Sequence, residues 1–375
     1  MTTGGPPTVE TIAERAGVSI ASVSRVLNGH GARPETVRRV ERAAAEVGYV
    51  PNAVARSLKG GRTRQLTFAM QDIGNPVYVE MVRQIQTITK ARGYRLLLHS
   101  TDAVAEDELA VVRSLADRTS DGLILCPIRI TPEHLKALRT AAQPVVVIGS
   151  LPDDAPVDSV RADSVTGAEL AVRHLVSTGR RRIAFVNGPA DTVPGSNRLR
   201  GYRRALHGCG LDADPGLVVT TEFTVEAGAR ALHRLLDTWP DRPDGAQGER
   251  PERGSAAGPG VDAVFCANDQ LALGAAQALH SRGLRIPEDV AVVGMDDTVL
   301  CAAGWPPLTS VDLGSAERGR IAAEMLLERI SGGSGQEPVT RARVRTVAPR
   351  LVVRASSAPA VPSAPPAPDA GEATP

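Results

Sequence analysis

TVETIAERAGVSIASVSRVLNG, residues 8–29, spells out two short helices and the tight turn between them. Ile12, Ala13 and Ala16 fall on one face of a first helix, and Val23, Val26 and Leu27 on one face of a second, at the 3.6-residue period. Gly17 stands where such a turn needs a residue that accepts positive φ. Small Ala13 lets the second helix cross closely over the first, Ser19 is placed to cap the second helix, and Gly29 follows it as a stop. This is the pattern of a helix-turn-helix. Its outer face is left to Ile20, Ala21, Ser22, Ser24, Arg25 and Asn28. Hydroxyls and an amide suit phosphates, and Arg25 with two small apolar side chains suits base edges, so the expected partner is double-stranded DNA.

Working outward, residues 34–48 open with Pro34 at a helix start and carry Val37, Val40, Ala44 and Val47 as an apolar stripe, completing a three-helix head. Arg38, Arg39 and Arg42 lie on its polar side, which suits solvent as well as DNA. In YVPNAVARSLKGGRTR, residues 49–64, the piece from Asn52 to Leu58 makes about two turns, too short to be stable alone, before the chain dissolves into glycines and basic residues as a hinge does. Leu58 either packs on the larger domain or wedges into a minor groove beside a second copy. Charge agrees with a DNA-binding end. Residues 1–64 hold ten Arg or Lys against five Asp or Glu, net +5, leaving −4 for the rest of a chain whose formal charge is +1.

From Gln65 the pattern changes to apolar strands alternating with amphipathic helices. Strands are expected in LTFAM, YRLLLHS, DGLILCPI, PVVVIGS, RIAFVNGP, DAVFCAND and VAVVGMDD, with helices over 77–92, 165–179, 225–239 and 270–282 among others. Repeated βα units with buried strands predict a parallel α/β sheet, and about 290 residues suit two similar lobes with a cleft between them. The expected organisation is a head at 8–50, a hinge helix and linker at 51–64, a two-lobed effector-binding and dimerisation domain at 65–356, and a tail at 357–375. Residues 240–260 and the Pro/Ala-rich tail read as disordered.

Several classes are excluded. There is no GxGxxG after the first strand, no GxxxxGK[ST] and no GxSxG, so no enzyme and no cofactor are expected. The seven histidines are scattered, and the four cysteines, Cys126, Cys209, Cys266 and Cys301, lack metal-ligand or CxxC spacing; no metal is expected, and the thiols read as small buried hydrophobes of a reduced compartment. With no apolar run of 18 residues and no basic-then-apolar leader, the expected location is the cytoplasm, away from any membrane. A solute-binding protein of the transport type would share the lobes, but needs a secretion signal and no DNA head. Asn268, Asp269, Asp296 and Asp297 end apolar strands, where open α/β sheets place binding residues and where amides and carboxylates suit hydroxyl-rich ligands. Capping of the following helix competes with that role for Asp269 and Asp297.

Residues 8–356 resemble the LacI/GalR family of bacterial transcription repressors. The motifs that carry the resemblance are AERAGVSIASVSRVLNG, YVPNAVARSL, VDSVRADSVTGAELAVRHLVSTGRRRIAFVNGP, RLRGYRRAL, VFCANDQLALGAAQALHSRGLRIPEDVAVVGMDD, PPLTSV and APRLVVRAS. The resemblance implies a small all-α helix-turn-helix head on an α/β two-lobed, periplasmic-binding-protein-like effector domain. It also implies a homodimer or tetramer on an inverted-repeat operator, with a small effector, most often a sugar, in the cleft; effector-independent DNA binding is the alternative. Matched position by position, Ile20, Ala21 and Arg25 read bases, while Thr8, Ser19, Ser24, Asn28, Thr36, Tyr49 and Asn52 hold phosphates. Ala55 and Leu58 match the hinge pair that enters the minor groove. Arg198, Phe223, Asn268 and Asp296 match effector ligands, with the effector expected to bridge Arg198 on one lobe to Asp296 near the other. Three departures stand out: NGHGARP is one residue short, VDLGSAERG lacks the usual polar or aromatic cleft residues, and Trp305 either floors the pocket or fills a dimer contact.

Overall fold

The computed structural model describes residues 7–27, 31–49, 62–238, 260–332 and 341–358. Asn28, Asn52, Ala55 and Leu58, with most of the expected hinge, nearly all of the 240–260 loop and nearly all of the tail, lie outside them. The chain divides into two units, Met1–Arg64 and Gln65–Pro375.

In the first unit, α1 (Val9–Ala16), α2 (Ile20–Leu27) and α3 (Pro34–Glu46) close around Ile12, Ala13, Ala16, Val23, Val40 and Ala43. Ile12, Val23 and Val40 are fully buried, each contributing about 1.5–3 kcal/mol on an area basis. Thr8 caps α1 in a reciprocal capping box with Thr11, and Ser19 caps α2 by accepting from the Ser22 N–H at 3.1 Å. Gly17 is left-handed (φ 60°), and Arg39 donates to its carbonyl at 3.1 Å. A Cβ at Gly17 would lie 2.6 Å from that guanidinium, a flexible side-chain end that can move aside, so the turn needs glycine for its left-handed conformation. Arg39, read as solvent- or DNA-facing, thus also ties α3 to the turn.

In the second unit the chain runs β1 (Gln65–Met70), α4 (Pro76–Ala91), β2 (Arg95–Ser100), α5 (Ala105–Ser114), β3 (Leu123–Cys126), α6 (Pro132–Arg139), β4 (Val145–Ile148), β5 (Asp158–Ala162), α7 (Ser164–Ser177), β6 (Ile183–Asn187), α8 (Val193–Gly208) and β7 (Val218–Thr220). It continues with α9 (Val225–Thr238), β8 (Ala263–Cys266), α10 (Asp269–Ser281), β9 (Ala291–Met295), α11 (Val299–Ala303), β10 (Thr309–Asp312), α12 (Ser315–Gly332), β11 (Val344–Val347) and β12 (Arg350–Val352). Among the described residues these strands form two six-stranded sheets, ordered β11-β5-β4-β3-β1-β2 and β12-β10-β9-β8-β6-β7. Every pairing is parallel except β10 with β12. In the second sheet the register sets Phe185 beside Phe265, whose rings stack at 4.8 Å.

Two lobes follow from this path, and the chain crosses between them three times, at residue 163, at 313–314 and at 348–349. Having completed most of the second lobe, the chain returns α12 to the first. There Ala322, Leu326 and Ile330 share a core with Leu66, Phe68, Ile124 and Val146. Asp158 secures that return: it is buried and accepts from Arg329 Nη2 at 2.5 Å and Arg343 Nη2 at 2.7 Å. Burial works to raise its carboxyl, and the two arginines outweigh burial and hold it below the ordinary value.

The seven expected strands and four named helices form, with ends shifted by up to three residues. β2, expected to be buried, is instead an exposed edge with Leu97 and Leu98 about two-fifths accessible. β5, β7, β10, β11 and β12 were not anticipated. Each is short, and β7, β11 and β12 occupy sheet edges where an apolar run is not required. Cys126, Cys266 and Cys301 are buried thiols, as expected, whereas Cys209 is half-buried.

Candidate DNA-binding face and interlobe cleft

On the head, α2 presents Ile20, Ala21 and Arg25 to solvent, with Ile20 49% exposed and Ala21 and Arg25 one turn apart. Thr8 and Ser19 are exposed beside it, and their hydroxyl groups already cap α1 and α2. Ser24, Thr36 and Tyr49 are half-buried, and Tyr49 packs on the head core while donating its N–H to Ala44 O at 2.9 Å.

In the larger unit the C-terminal ends of β1, β3, β4 and β5 face those of β8 and β9 across a cavity of about 750 Å3, part of it open to solvent. Helix N-termini surround it: Asn75 caps α4, Ser164 begins α7, Val193 and Pro194 begin α8, and Asn268 caps α10 by accepting from the Leu271 N–H at 2.9 Å. These ends carry partial positive charge.

The second lobe's wall is built around an ion pair. Arg198, on α8, donates from Nη2 to Asp296 Oδ1 at 3.1 Å and from Nη1 to the Ala267 carbonyl, and both side chains are buried. Burial pushes the Asp296 carboxyl up, while the guanidiniums of Arg198 and Arg318 pull it back. Phe223 lies with its ring centroid 5.9 Å from the Arg198 guanidinium carbon, in space that Gly188 leaves by having no Cβ. Asp296 and Asp297 take φ of 105° and 49°, strained for residues other than glycine. They are held there because Asp296 N donates to Val311 O at 2.8 Å and Asp297 N to Ser310 Oγ at 3.1 Å. Below them Asp269 accepts from Ser310 Oγ at 2.6 Å and Thr298 N at 2.7 Å, and burial, then the neighbouring Asp296, push its carboxyl up to about 7.

The two walls touch at the cleft. Arg129 of the first lobe makes a two-pronged pair with Asp191 of the second, at 2.7 and 3.1 Å, and Val193 N donates to Ile128 O at 2.9 Å. The first lobe also contributes Gln71, Tyr78, Ser150 and Arg318 to the lining.

Three family models match: "Bacterial regulatory proteins, lacI family" at residues 8–52, "Periplasmic binding proteins and sugar binding domain of LacI family" at 63–244, and "Periplasmic binding protein-like domain" at 172–357. The HTH-type transcriptional regulator CelR of Thermobifida fusca is 36% identical over 342 residues, covering 89% of this chain and 94% of its own. The chain belongs to the LacI family. The ribose operon repressor of Escherichia coli K12 is 33% identical over 352 residues, covering 93% and 99% of the two chains. Among solved structures, the lac repressor dimer bound to operator and the anti-inducer ONPF is similar at TM-score 0.78 and 25% identity, covering 94% of this chain and 99% of that one. A CelR–cellobiose complex is similar at TM-score 0.67 and 33% identity, covering 93% and 99%. As a LacI-family member, the chain is an effector-regulated, DNA-binding transcription repressor.

Within this LacI-family body, the cleft gathers Arg198, Phe223, Asn268 and Asp296, the four residues matched as effector ligands. The expectation that an effector bridges Arg198 on one lobe to Asp296 near the other is corrected: both belong to the second lobe and bind each other directly. Neither role weighed for Asp269 and Asp297 holds. Asp269 sits beneath the wall, and Asp297 pairs with Arg354 at 2.7 Å. The VDLGSAERG segment, read as poor in cleft residues, supplies Leu313 and Arg318 to the lining. Trp305 is not a pocket floor; it is 94% exposed and outside the cleft lining.

Proposed function

We propose that the chain represses transcription by binding an inverted-repeat operator as a homodimer, with a sugar-type effector in the interlobe cleft setting the affinity. Ile20, Ala21 and Arg25 read base edges. Thr8, Ser19, Ser24, Asn28, Thr36, Tyr49 and Asn52 hold phosphates, and Ala55 and Leu58 enter the minor groove. The observation that carries this reading is one chain with two surfaces suited to binding: an exposed α2 face bearing Arg25, and an interlobe cleft with a pre-paired Arg198–Asp296 wall. The cellobiose bound to CelR supports a sugar. A second copy is supported by apolar side chains exposed around the β2 edge: Leu97 and Leu98 on the strand, Val79 on α4 beside it, and Val104 just beyond. The protein acts in the cytoplasm, where its operator is.

Selection from a random duplex pool by the full-length protein, followed by anisotropy titration, tests this reading. The expected site is an inverted repeat of about 14 to 20 base pairs, two successive major grooves about one turn apart. Binding should exceed that of random DNA by roughly 10³-fold or more and weaken steeply with salt. Arg25→Ala should cost about 1–3 kcal/mol at one position of each half-site, and exchanging Ile20 and Ala21 should change the preferred operator. Equal affinity for selected and random DNA at every salt concentration would defeat the proposal.

A further inference from the structure

Among the described residues, three charged side chains line the cleft: Arg198 and Asp296 on one wall and Arg318 on the other. The first two neutralise each other. Arg318, 8% exposed in the first turn of α12, donates from Nη2 to the neutral Ser315 Oγ at 3.0 Å and, among the described residues, pairs with no carboxylate; its Nε, like that of Arg198, has no partner there. Its neighbours cannot supply the missing charge. Burial pushes the Cys126 thiol up to about 12 and the Tyr78 phenol well above its ordinary value, so both stay neutral at pH 7. Asp296 is paired with Arg198; its carboxylate also attracts Arg318, more than Arg198 repels it, but from beyond ion-pair distance. The α12 N-terminus adds further positive potential. A guanidinium does not give up its proton to escape burial as an amine can, so the first lobe's wall holds a cation awaiting its anion.

From the unpaired Arg318 facing a self-neutralised Arg198–Asp296 wall, we infer that the effector is a sugar acid. Its carboxylate is received by Arg318 on the first lobe while its hydroxyls meet Arg198 and Asn268 on the second. The inference rests on the reading of the cleft as the effector site. A planar guanidinium fork matches a carboxylate in two parallel hydrogen bonds. One surplus positive charge matches one carboxylate, whereas a phosphate ester brings about −1.5 to −2 and would leave the cleft negative. Such a ligand also ties the lobes together, because its charged end and its hydroxyls are held by different sheets.

Titration calorimetry on the full-length protein with gluconate, glucuronate and galacturonate, against glucose, galactose, glucitol and glucose 6-phosphate, tests the inference. At least one acid should bind at least tenfold more tightly than its neutral counterpart, and Arg318→Gln should erase that preference. A neutral sugar binding as tightly as its acid, glucose 6-phosphate binding tightest, or no acid binding at all overturns it. The ligand-free protein gives an independent reading. Arg318→Leu removes an uncompensated cation and should raise the melting temperature; a lower melting temperature means that the protein already neutralises Arg318, and overturns the inference. Operator anisotropy separates the two proposals. An acid bound through Arg318 that leaves operator affinity unchanged supports the sugar-acid assignment and sinks effector control. A neutral sugar that changes operator affinity without needing Arg318 does the reverse.

Discussion

The two walls of the cleft each carry a buried arginine, and they are held in opposite ways. Arg198 has Asp296 at 3.1 Å, the Ala267 carbonyl, and Phe223 beside it. Arg318 has one neutral hydroxyl and, among the described residues, no paired carboxylate, while the Nε atoms of both arginines lack a partner. Arg198 therefore has its counter-charge before any ligand arrives, and the strained Asp296 backbone is held by its own hydrogen bond to Val311 O. The first lobe's wall is incomplete. Recognition in such a cleft divides into a rigid template that fixes orientation and a charged receptor that gains its partner only when the ligand binds.

Removing the template's arginine should give the largest effect. Arg198→Ala leaves Asp296 buried without its cation and should cost about 3–5 kcal/mol of stability in the ligand-free protein, measured by denaturant melts, and abolish effector binding. The sign is opposite to that expected for Arg318→Leu, so the pair of variants tests the contrast directly. Losses of equal size from both would erase it. The cost of Arg198→Ala should also shrink in acid. Without the guanidinium, the folded-state pKa of Asp296 stands still further above its unfolded value, so stability present at low pH is lost as pH rises toward that folded value.

A smaller effect, read as a slope, lies beneath the same wall. Asp269 is raised from 3.8 to about 7 by burial, so the folded state binds its proton more tightly than the unfolded chain does. Its contribution is fully present below about pH 4 and is lost as pH rises toward 7. The melting temperature of Asp269→Asn should therefore gain on the wild type between pH 4 and pH 8; parallel curves would show that Asp269 is ionised throughout. Smallest should be Asp191→Asn, which weakens the exposed pair joining the walls at Arg129. Effector affinity should change no more than about fivefold, and a hundredfold loss in calorimetry would mean that this pair, rather than the ligand, holds the lobes together.

What the chain discloses before folding follows the same division. The head was legible because its determinants are local: a 3.6-residue period, a glycine at the turn position that takes φ of 60°, and a cap residue at Ser19. Strands ending in Asn268 and Asp296 marked the cleft, because parallel sheets put such residues at their C-terminal ends. Which lobe each joins depends on where the chain crosses, and residues 163, 313–314 and 348–349 carry no local mark of a crossing. Arg318 was invisible for a related reason. Between Glu317 and Gly319 in an amphipathic helix, it reads as a solvated side chain. Only the approach of α12 to α4, where a Cβ on Gly319 would come within 2.8 Å of the Met81 carbonyl, buries it. The edge strands β7, β11 and β12, three or four residues long and partly exposed, have too little apolar pattern to announce themselves.

The last crossing bears on the order in which the protein is made. β11 and β12, two residues apart, are the outermost strands of different sheets, one against β5 and the other against β10. The first lobe cannot be finished on the ribosome until residue 347 has emerged, nor the second until residue 352, although the apolar strands of both are exposed long before. A nascent chain halted near residue 340 would carry two open sheet edges at once and an Asp158 lacking the Arg343 contact. A nonsense change there should thus leave an aggregating or degraded product rather than a shortened working repressor.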